Sequence, residues 1–416
     1  MRPGPKILYI TYDGLTDPLG QSQILPYLKG LSSYGYQFTI LSFEKKDRFK
    51  REKHTIEKLT SESGITWVPL WFTSDPPLLS KFYDAIRMRN KAFQLQKNYR
   101  FDMVHCRSYV AADVGLQLKK TFGIKFFFDM RGFWADEKKD GSWNVKNPLY
   151  KKIYSYYKKR EAAYLQNADY IISLTEAGKT EMMKWSSFDK TIPLQVIPCC
   201  ADMEHFTLTD ESSKQKARKI LGIGTEYFVL SYLGSIGTWY MLEEMLLFFR
   251  QLKNKYSKAK FLFLTHSDPN QILSKAESLL VDKTDLIIRE ASRSEVPELM
   301  KASDVNISFI RPVYSKISSS PTKLGEVLSM GIPVIVNAGV GDVQSIIEYT
   351  NGGYVLKDFS EKDFKEAIDI LPQLVNRNPK EIRQKGEHFY SLQRGIQLYR
   401  ECYAELLPVT NKFIDV

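Results

Sequence analysis

One stretch in the second half of the chain combines a helix start, a lysine and a carboxylate at the spacing of a ligand site. Ser320 followed by Pro321 predicts a helix N-terminus, because serine caps free backbone donors and proline suits the first helical position. The N–H groups of Thr322 and Lys323 would then point outward beside a cationic side chain, and this attracts phosphate. Glu326 lies one turn further along the same face, where its carboxylate could accept hydrogen bonds from ribose hydroxyls. The spacing therefore favours a site for a nucleotide diphosphate.

Gly325 lies inside this helix, which is predicted to run to about Met330 before a buried strand at residues 334–336. A glycine within a helix costs about 1 kcal/mol relative to alanine, so it indicates the close approach of another group. The alternative is a capped surface helix with an ordinary ion pair between Lys323 and Glu326. We favour that alternative for the ion pair taken alone, and the nucleotide site for the whole block.

Strands and helices alternate along the chain, and this predicts parallel sheets with helices on both faces. Strands are predicted at residues 6–12, 38–43, 65–70, 103–105, 125–130, 168–174, 194–197, 227–233, 261–264, 286–288, 305–310, 334–336 and 352–356. A chain of 416 residues exceeds one ordinary hydrophobic core, so two domains of about 200 residues each are expected. Ligands of such sheets bind at the carboxyl ends of the strands.

Two arginines in the first half each follow a predicted strand. Arg107 and Arg131 carry fixed positive charges that suit phosphate or an anionic acceptor. Either arginine could instead pair with Asp129, Asp136 or Glu137. Both interpretations stay open.

A glycine-containing turn joins a predicted strand to a helix in the second half. Gly234, Ser235, Gly237 and Thr238 could bring backbone N–H groups close to a diphosphate, although their spacing matches neither a P-loop nor the dinucleotide fingerprint. The turn that begins at Arg289 follows a later strand and is expected to pass beside the nucleotide base.

The formal net charge of +11 favours an acidic partner: anionic lipid, nucleic acid or a negatively charged substrate. Basic and aromatic residues interleave at 45–53 and 150–160, and Trp71 and Phe72 add apolar surface. This favours contact with an anionic membrane face, the alternative being ordinary solvated surface.

Four cysteines without paired or metal-ligand spacing suit a reducing compartment. No apolar run is long enough for a signal peptide or a membrane span, so we expect a cytoplasmic protein that binds, at most, to the inner face of the membrane.

The block from Ser318 to Asn337 resembles the C-terminal signature of the retaining glycosyltransferases of the bacterial family called group 1, or family 4. That resemblance implies the GT-B fold, an α/β architecture of two doubly wound Rossmann-like domains facing a central cleft, with a C-terminal helix that crosses back to the first domain. It implies an acceptor-binding domain at 1–206, a nucleotide-sugar-binding domain at 207–390 that opens with a polar linker at 207–215, and a crossing helix and tail at 391–416.

The resemblance also assigns roles to residues. The helix tip would bind the donor diphosphate, and Glu326 the donor ribose. The cleft side of the first domain would include Gly14, Gly20, Gln21 and Asp136. The donor site would comprise Gly234, Ser235, Gly237, Thr238, Arg289, Ser318, Ser320, Thr322, Lys323 and Glu326. The residues expected to act in catalysis are Arg107, Arg131, Lys323 and Glu326.

The sequence departs from the family pattern at two positions. Ser318 stands where a first glutamate usually contacts the sugar, and Ser235 stands where an arginine usually contacts the diphosphate. Arg311, Lys316 and Lys323 are the candidates to supply the missing positive charge.

The implied reaction is transfer of a sugar from a nucleotide-diphosphate donor to a hydroxyl of a saccharide or lipid-linked acceptor, with retention at the anomeric carbon, in bacterial cell-surface glycan or glycolipid assembly. The nucleotide sugar is a substrate, so no cofactor is expected. The chain has no Asp-x-Asp motif, which argues against a metal site, and no nucleic-acid partner is expected. Two alternatives stay open: a sugar-nucleotide epimerase or inverting transferase on this fold, or a non-catalytic polyanion-binding protein.

Overall fold

A computed structural model describes residues 4–407, apart from the side chains of Pro77 and Leu78. It divides into two compact units. One consists of the chain up to Pro198 together with the segment that begins at Leu392, and the other of Cys199–Ser391. Each unit is built on a parallel sheet connected by helices, which confirms the predicted doubly wound α/β architecture. Residues 408–416, predicted to form the tail, lie outside the described residues.

The first unit contains seven strands. They are β1 (Lys6–Thr11), β2 (Gln37–Glu44), β3 (Thr66–Trp71), β4 (Met103–Arg107), β5 (Lys125–Asp129), β6 (Tyr170–Ser173) and β7 (Leu194–Val196). The helices between them are α1 (Pro18–Gln23), α2 (Leu25–Ser32), α3 (Lys46–Glu62), α4 (Pro77–Tyr99), α5 (Ser108–Phe122), α6 (Trp134–Gly141), α7 (Pro148–Asn167) and α8 (Glu176–Met182). The sheet order is β3-β2-β1-β4-β5-β6-β7, so the direction of winding reverses between β1 and β4.

The second unit contains six strands. They are β8 (Phe228–Leu233), β9 (Ala259–Leu264), β10 (Leu286–Arg289), β11 (Val305–Ser308), β12 (Val334–Asn337) and β13 (Gly353–Leu356). Its helices are α9 (Glu211–Leu221), α10 (Leu242–Lys255), α11 (Pro269–Ser278), α12 (Val296–Met300), α13 (Thr322–Ser329), α14 (Val343–Thr350), α15 (Glu361–Asp369), α16 (Leu371–Val375) and α17 (Pro379–Tyr390), with 3₁₀ turns at Lys283–Asp285 and Tyr314–Ser318. The sheet order is β10-β9-β8-β11-β12-β13, with the reversal between β8 and β11.

Alternate residues of the second sheet enter two separate cores. Leu262 and Leu264 pack with α9, α12, α13, α14 and α17, whereas Phe261 and Phe263 pack with α10, α11, α15 and α16. Strands buried on both faces in this way need continuous apolar runs, and the sequence supplies them. This packing fixes α13 against one face of the sheet.

The segment between the predicted domains is not a linker. Residues from Glu211 onward form α9, because Asp210 accepts a hydrogen bond from the Ser213 N–H at 2.7 Å while the Ser213 hydroxyl accepts one from the Asp210 N–H at 3.1 Å. Such a reciprocal cap starts a helix. Residues 199–206, predicted to close the first domain, belong to the second unit, where Phe206 is buried in the core.

The final helix is also shorter than predicted. Instead of one helix from Tyr390 to Leu407, α17 ends at Tyr390 and α18 spans Leu392–Leu406. Ser391 between them pairs with Ala201 in an isolated parallel bridge, so the helix is interrupted there. α18 packs in the first unit against α2, where the absence of a side chain at Gly30 admits Ile396. None of the helices described is both long and apolar enough to cross a lipid bilayer.

Candidate functional site

The reversal between β8 and β11 is the place where ligands of such sheets bind, outside the carboxyl ends of the strands. β8 ends at Leu233, and the turn after it begins with Gly234. Lys323 of α13 reaches this turn, since a Cβ atom added to Gly234 would lie 2.5 Å from the Lys323 Nζ. The glycine turn and the N-terminus of α13, predicted from separate parts of the sequence, therefore lie together.

Tyr232 ties Lys323 to the glycine turn. Its hydroxyl donates to the Ser235 carbonyl at 2.7 Å and accepts from the Lys323 Nζ at 3.1 Å. The same Nζ lies 3.6 Å from the centre of the Tyr240 ring. Gly234 has a φ of +121°, which glycine adopts without strain. A lysine ammonium is thus held beside the backbone of the turn.

Burial controls the protonation of Lys323. Desolvation lowers its pKa to about 7, and the charge of Glu326 opposes this only in part. Among the described residues the ammonium contacts one hydroxyl and two aromatic rings and forms no ion pair. An anion placed beside it would therefore stabilise its charged form.

The start of α13 differs from the prediction in one respect. The helix begins at Thr322, and no side chain caps it. The Ser320 hydroxyl instead accepts a hydrogen bond from the Cys199 N–H at 3.1 Å, so Ser320 connects two segments of the unit and is not the cap. The N–H groups of Thr322 and Lys323 precede the first intrahelical bonds and are available to a ligand.

Glu326 does not form the ordinary ion pair with Lys323 that was considered as the simpler alternative. Its carboxylate faces Arg293, with 3.8 Å between Glu326 Oε1 and Arg293 Nη1, and only 12% of its side-chain surface is exposed. Burial raises the pKa of this carboxyl, whereas the charges of Arg293 and Lys323 lower it. A carboxylate desolvated in this way gains from hydroxyl donors, as the ribose prediction requires.

The glycine inside α13 has a structural cause. A Cβ atom at Gly325 would lie 2.7 Å from Cγ of the buried Tyr390 ring at the end of α17. The predicted close approach is confirmed, but the approaching group is a side chain of the same unit. Gly325 therefore does not itself support a nucleotide site.

The other predicted donor residues lie at various depths. Ser235, Gly237 and Thr238 are exposed in the turn after β8, and Arg289 is exposed at the end of the edge strand β10. Ser318 is buried, and its hydroxyl donates to the Ser315 carbonyl at 3.0 Å. Of the two other candidates for the missing charge, Arg311 is exposed, whereas the Lys316 Nζ lies 3.9 Å from the centre of the Trp239 ring.

Arg107 and Arg131 lie together at the carboxyl edge of the first sheet, both beside Asp129. Arg107 Nη1 is 3.9 Å from one carboxylate oxygen of Asp129, and Arg131 Nη1 is 3.8 Å from the other. Arg107 Nε also donates to Asp13 at 3.2 Å. The pairing with Asp129 that was left open is therefore present, and two carboxylates balance the two arginines.

The backbone around these arginines adopts conformations that are rare for residues other than glycine. Ser108, directly after β4, has a φ of +66°, and Arg131, shortly after β5, has a φ of +55°. Strained residues of this kind persist only where surrounding contacts hold them in place, and they concentrate at functional sites. For Arg131 the buried carboxylate of Asp129 is such a contact. Burial raises the pKa of Asp129, but Arg131, His105 and Arg107 together outweigh this effect, so that the pKa lies below its ordinary value.

The glycine loop of the first unit is organised by a carboxylate at the end of β2. Glu44 is fully buried, and it accepts hydrogen bonds from the N–H groups of Leu15 and Thr16 at 2.8 and 3.1 Å. Gly14 packs against Glu44, and a Cβ atom at Gly20 would lie 2.2 Å from the Gly14 carbonyl oxygen. Close packing thus explains both glycines, and Gln21 lies partly exposed beside them.

Asp136 is engaged within the first unit. Its carboxylate accepts from the Tyr154 hydroxyl at 2.7 Å and from the Lys158 ammonium at 2.9 Å, and its surface is 2% exposed. This arrangement orders α6 against α7.

Sequence reasoning missed Glu44, Tyr232, Tyr240 and Arg293. Only Tyr232 leaves a local trace in the sequence, since it lies near the end of a buried strand directly before the turn that it binds. Glu44 ends β2 but binds the loop after β1, about 28 residues earlier in the chain. Tyr240 and Arg293 act across long separations in the chain, which no local pattern reveals. Within residues 4–407, no group of three histidine, cysteine, aspartate or glutamate side chains is placed to hold a metal ion.

Two family models match the chain, one in each half. Residues 213–387 match the family model described as glycosyl transferases group 1, and residues 23–205 match the model described as glycosyltransferase family 4. A search of curated proteins finds no match.

Solved structures share the fold along nearly the whole chain. Sucrose-phosphate synthase from Thermosynechococcus elongatus superposes with a TM-score of 0.74 at 15% identity, covering 96% of this chain and 100% of that one. Anabaena HepE in complex with UDP and glucose superposes with a TM-score of 0.70 at 13% identity, covering 96% and 99%. WaaG, a glycosyltransferase involved in lipopolysaccharide biosynthesis, gives a TM-score of 0.66 at 15% identity, covering 97% and 100%. At these identities the likeness establishes the fold, and the two family models between them account for both units: the chain belongs to the group 1 / family 4 glycosyltransferases of the GT-B fold.

Proposed function

We propose that the protein transfers a sugar from a nucleotide-diphosphate donor to a hydroxyl acceptor with retention at the anomeric carbon. The observation that carries the proposal is the Lys323 ammonium, enclosed by Tyr232 and Tyr240 beside the first N–H groups of α13, which have no acceptor within the helix. Glu326 one turn behind is suited to the donor ribose. The HepE structure containing UDP-glucose adds support for a nucleotide-sugar donor.

In the proposed reaction the bond between the anomeric carbon and the diphosphate breaks while the acceptor oxygen bonds to the same face of that carbon. The acceptor proton passes to the leaving phosphate oxygen, so no protein nucleophile is required. The contribution of the protein is electrostatic, because negative charge develops on the leaving diphosphate where Lys323 and the helix N–H groups lie. We further propose that Arg107 and Arg131 order the acceptor side through Asp129 and Asp13.

A thermal-shift screen across nucleotide sugars tests the donor assignment, with UDP-glucose as the first probe. A ligand at 100 times its Kd stabilises the protein by about 2.7 kcal/mol, so a true donor raises the melting temperature in a saturable manner. Equal stabilisation by unrelated polyanions, lost at moderate salt, would instead support the polyanion-binding alternative. Once an acceptor is found, the anomeric configuration of the product, read by NMR, distinguishes retention from inversion.

Replacing Glu326 with alanine is expected to lower kcat/KM for the donor about 10- to 100-fold, the usual effect of losing a hydrogen bond to a charged group. Comparing UDP-glucose with its 2′-deoxyribose analogue locates the contact. The native protein should discriminate between them, and the Glu326→Ala variant should not. Glu348→Ala, at an exposed glutamate of α14, is the matched control and should leave both donors unaffected. An unchanged rate for Glu326→Ala would remove this residue from the site.

Donor binding is expected to weaken above neutral pH. In the free protein the pKa of Lys323 is lowered to about 7, so the ammonium that attracts the diphosphate is present below this pH and is lost above it. The Kd for UDP-glucose should therefore rise by a factor approaching ten for each pH unit above 7, until the raised pKa of the complex is reached. Isothermal titration calorimetry between pH 6 and about 9 measures this slope. A Kd that stays constant over this range would show that the protonation of Lys323 is not linked to donor binding.

A further inference from the structure

The first half of α4 presents an apolar face to solvent. The exposed fractions of Leu79, Phe82, Tyr83 and Ile86 are 69%, 69%, 55% and 41%. Their spacing of three and four residues places all four side chains on one side of the helix, here called the α4 stripe. The opposite side of the helix is buried in the first unit. Four large apolar side chains exposed together mark an interaction surface, whereas single exposed ones do not.

Every charged side chain that α4 exposes is a cation. The helix carries Lys81, Arg87, Arg89, Lys91 and Lys97. Its only carboxylate, Asp84, is fully buried, where it accepts from the Tyr12 hydroxyl at 2.8 Å and the Thr73 N–H at 3.0 Å. The stripe is therefore bordered by positive charge with no exposed acidic side chain on the same helix.

The surface beside the α4 stripe is also apolar and positively charged. Trp71, at the end of the edge strand β3, is 43% exposed, and its carbonyl accepts from Arg87 Nη1 at 2.8 Å. The Lys81 ammonium lies 3.9 Å from the centre of the Phe72 ring. Burial lowers the pKa of Lys81 and the charge of the buried Asp84 raises it, whereas the charges of Lys138 and Lys45 lower it, so two further cations lie in this area.

We propose that the α4 stripe and the cations around it bind the surface of an anionic lipid bilayer. Leu79, Phe82 and Ile86 would enter the boundary between head groups and acyl chains while the lysines and arginines contact anionic head groups. A second copy of the chain is disfavoured as the occupant, because it would bring the cations of two identical helices together. Nucleic acid would pair with the positive charges but would leave the exposed leucine and isoleucine side chains without an apolar partner. This surface is independent of the proposed transfer reaction.

Co-sedimentation of the full chain with vesicles tests the proposal. The protein is expected to sediment with phosphatidylcholine vesicles that contain phosphatidylglycerol, and weakly with pure phosphatidylcholine. The triple variant Leu79→Ser, Phe82→Ser, Ile86→Ser should lower the partition constant for the mixed vesicles by at least about tenfold. Because these side chains are already exposed, the variant should fold normally. Ile220→Ser, at an isoleucine that is 56% exposed in the second unit, is the matched control and should bind like the native protein.

Three outcomes would overturn the proposal: full vesicle binding by the triple variant, equal binding to neutral and anionic vesicles, or a dimer in solution that the triple variant abolishes. The last would identify a second copy as the occupant. Binding of UDP-glucose by the triple variant is expected to be unchanged in the absence of vesicles, so the docking surface and the transferase assignment can fail separately.

Discussion

Replacement of Lys323 with methionine is expected to lower kcat about 100- to 1,000-fold, the range found when one preorganised donor to developing negative charge is removed. Methionine keeps the length and apolar stem of lysine, so it can fill the space between Tyr232 and Tyr240. What is lost is the ammonium beside the glycine turn after β8. Release of the nucleoside diphosphate from the donor that gives the largest thermal shift measures the effect.

The stability of the same variant separates a functional lysine from a structural one. The folded-state pKa of Lys323 lies below its unfolded value of 10.5, so keeping this ammonium buried costs stability at and below pH 7. That cost declines as the pH rises from 7 towards 10.5. Lys323→Met should therefore be more stable than the native protein at pH 7, and the difference should shrink at higher pH. A variant that is both inactive and less stable would indicate that Lys323 mainly supports the packing.

The elements of both units could be predicted because their signals are local. Strands such as Val334–Asn337 are short apolar runs between turn residues, and the helices between them have apolar residues at helical spacing. The errors arise where distant residues decide the outcome. The break between α17 and α18 depends on the bridge from Ser391 to Ala201, which no pattern near Ser391 indicates. The error at the start of α9 has a local cause. The Asp210 and Ser213 cap is visible in the sequence, but the polar composition of residues 207–215 favours a linker over a helix.

The candidate site shows the same division. The positions of Thr322, Lys323 and Glu326 on one helix follow from their spacing alone. Sequence also indicates that Gly325 must lie close to another group, but it cannot identify the Tyr390 ring, which is brought there by the packing of α17. Burial lowers the pKa of Lys323, and the ammonium is buried against the rings of Tyr232 and Tyr240, which lie far from it in the chain. Residue type and spacing are thus sufficient to predict a diphosphate ligand. The pKa of Lys323 can be predicted only when the fold, and hence the burial of the side chain, is known.

The buried arginine pair of the first unit leads to the second large effect. Asp129→Ala is expected to lower the free energy of unfolding by about 3–5 kcal/mol, because it removes the carboxylate that lies beside both Arg107 and Arg131 in a buried setting. The folded-state pKa of Asp129 is below its ordinary value of 3.8, so its contribution is complete above that pH and is lost only as the pH falls below it. Urea denaturation at neutral pH therefore measures the full effect.

Asp47→Ala, which removes an exposed carboxylate from the first turn of α3, is the matched control and should cost less than about 1 kcal/mol. Asp129→Asn keeps the shape of the side chain and provides a second measurement if the alanine variant does not fold. A loss no larger than that of the control would mean that the two arginines do not depend on Asp129. The charges of Arg107 and Arg131 would then be available to an anionic acceptor, which is the role that their positions after two strands predict. A large loss would instead make Asp129 the group that holds both guanidinium groups, and the strained residues beside them, in place at the carboxyl edge of the sheet.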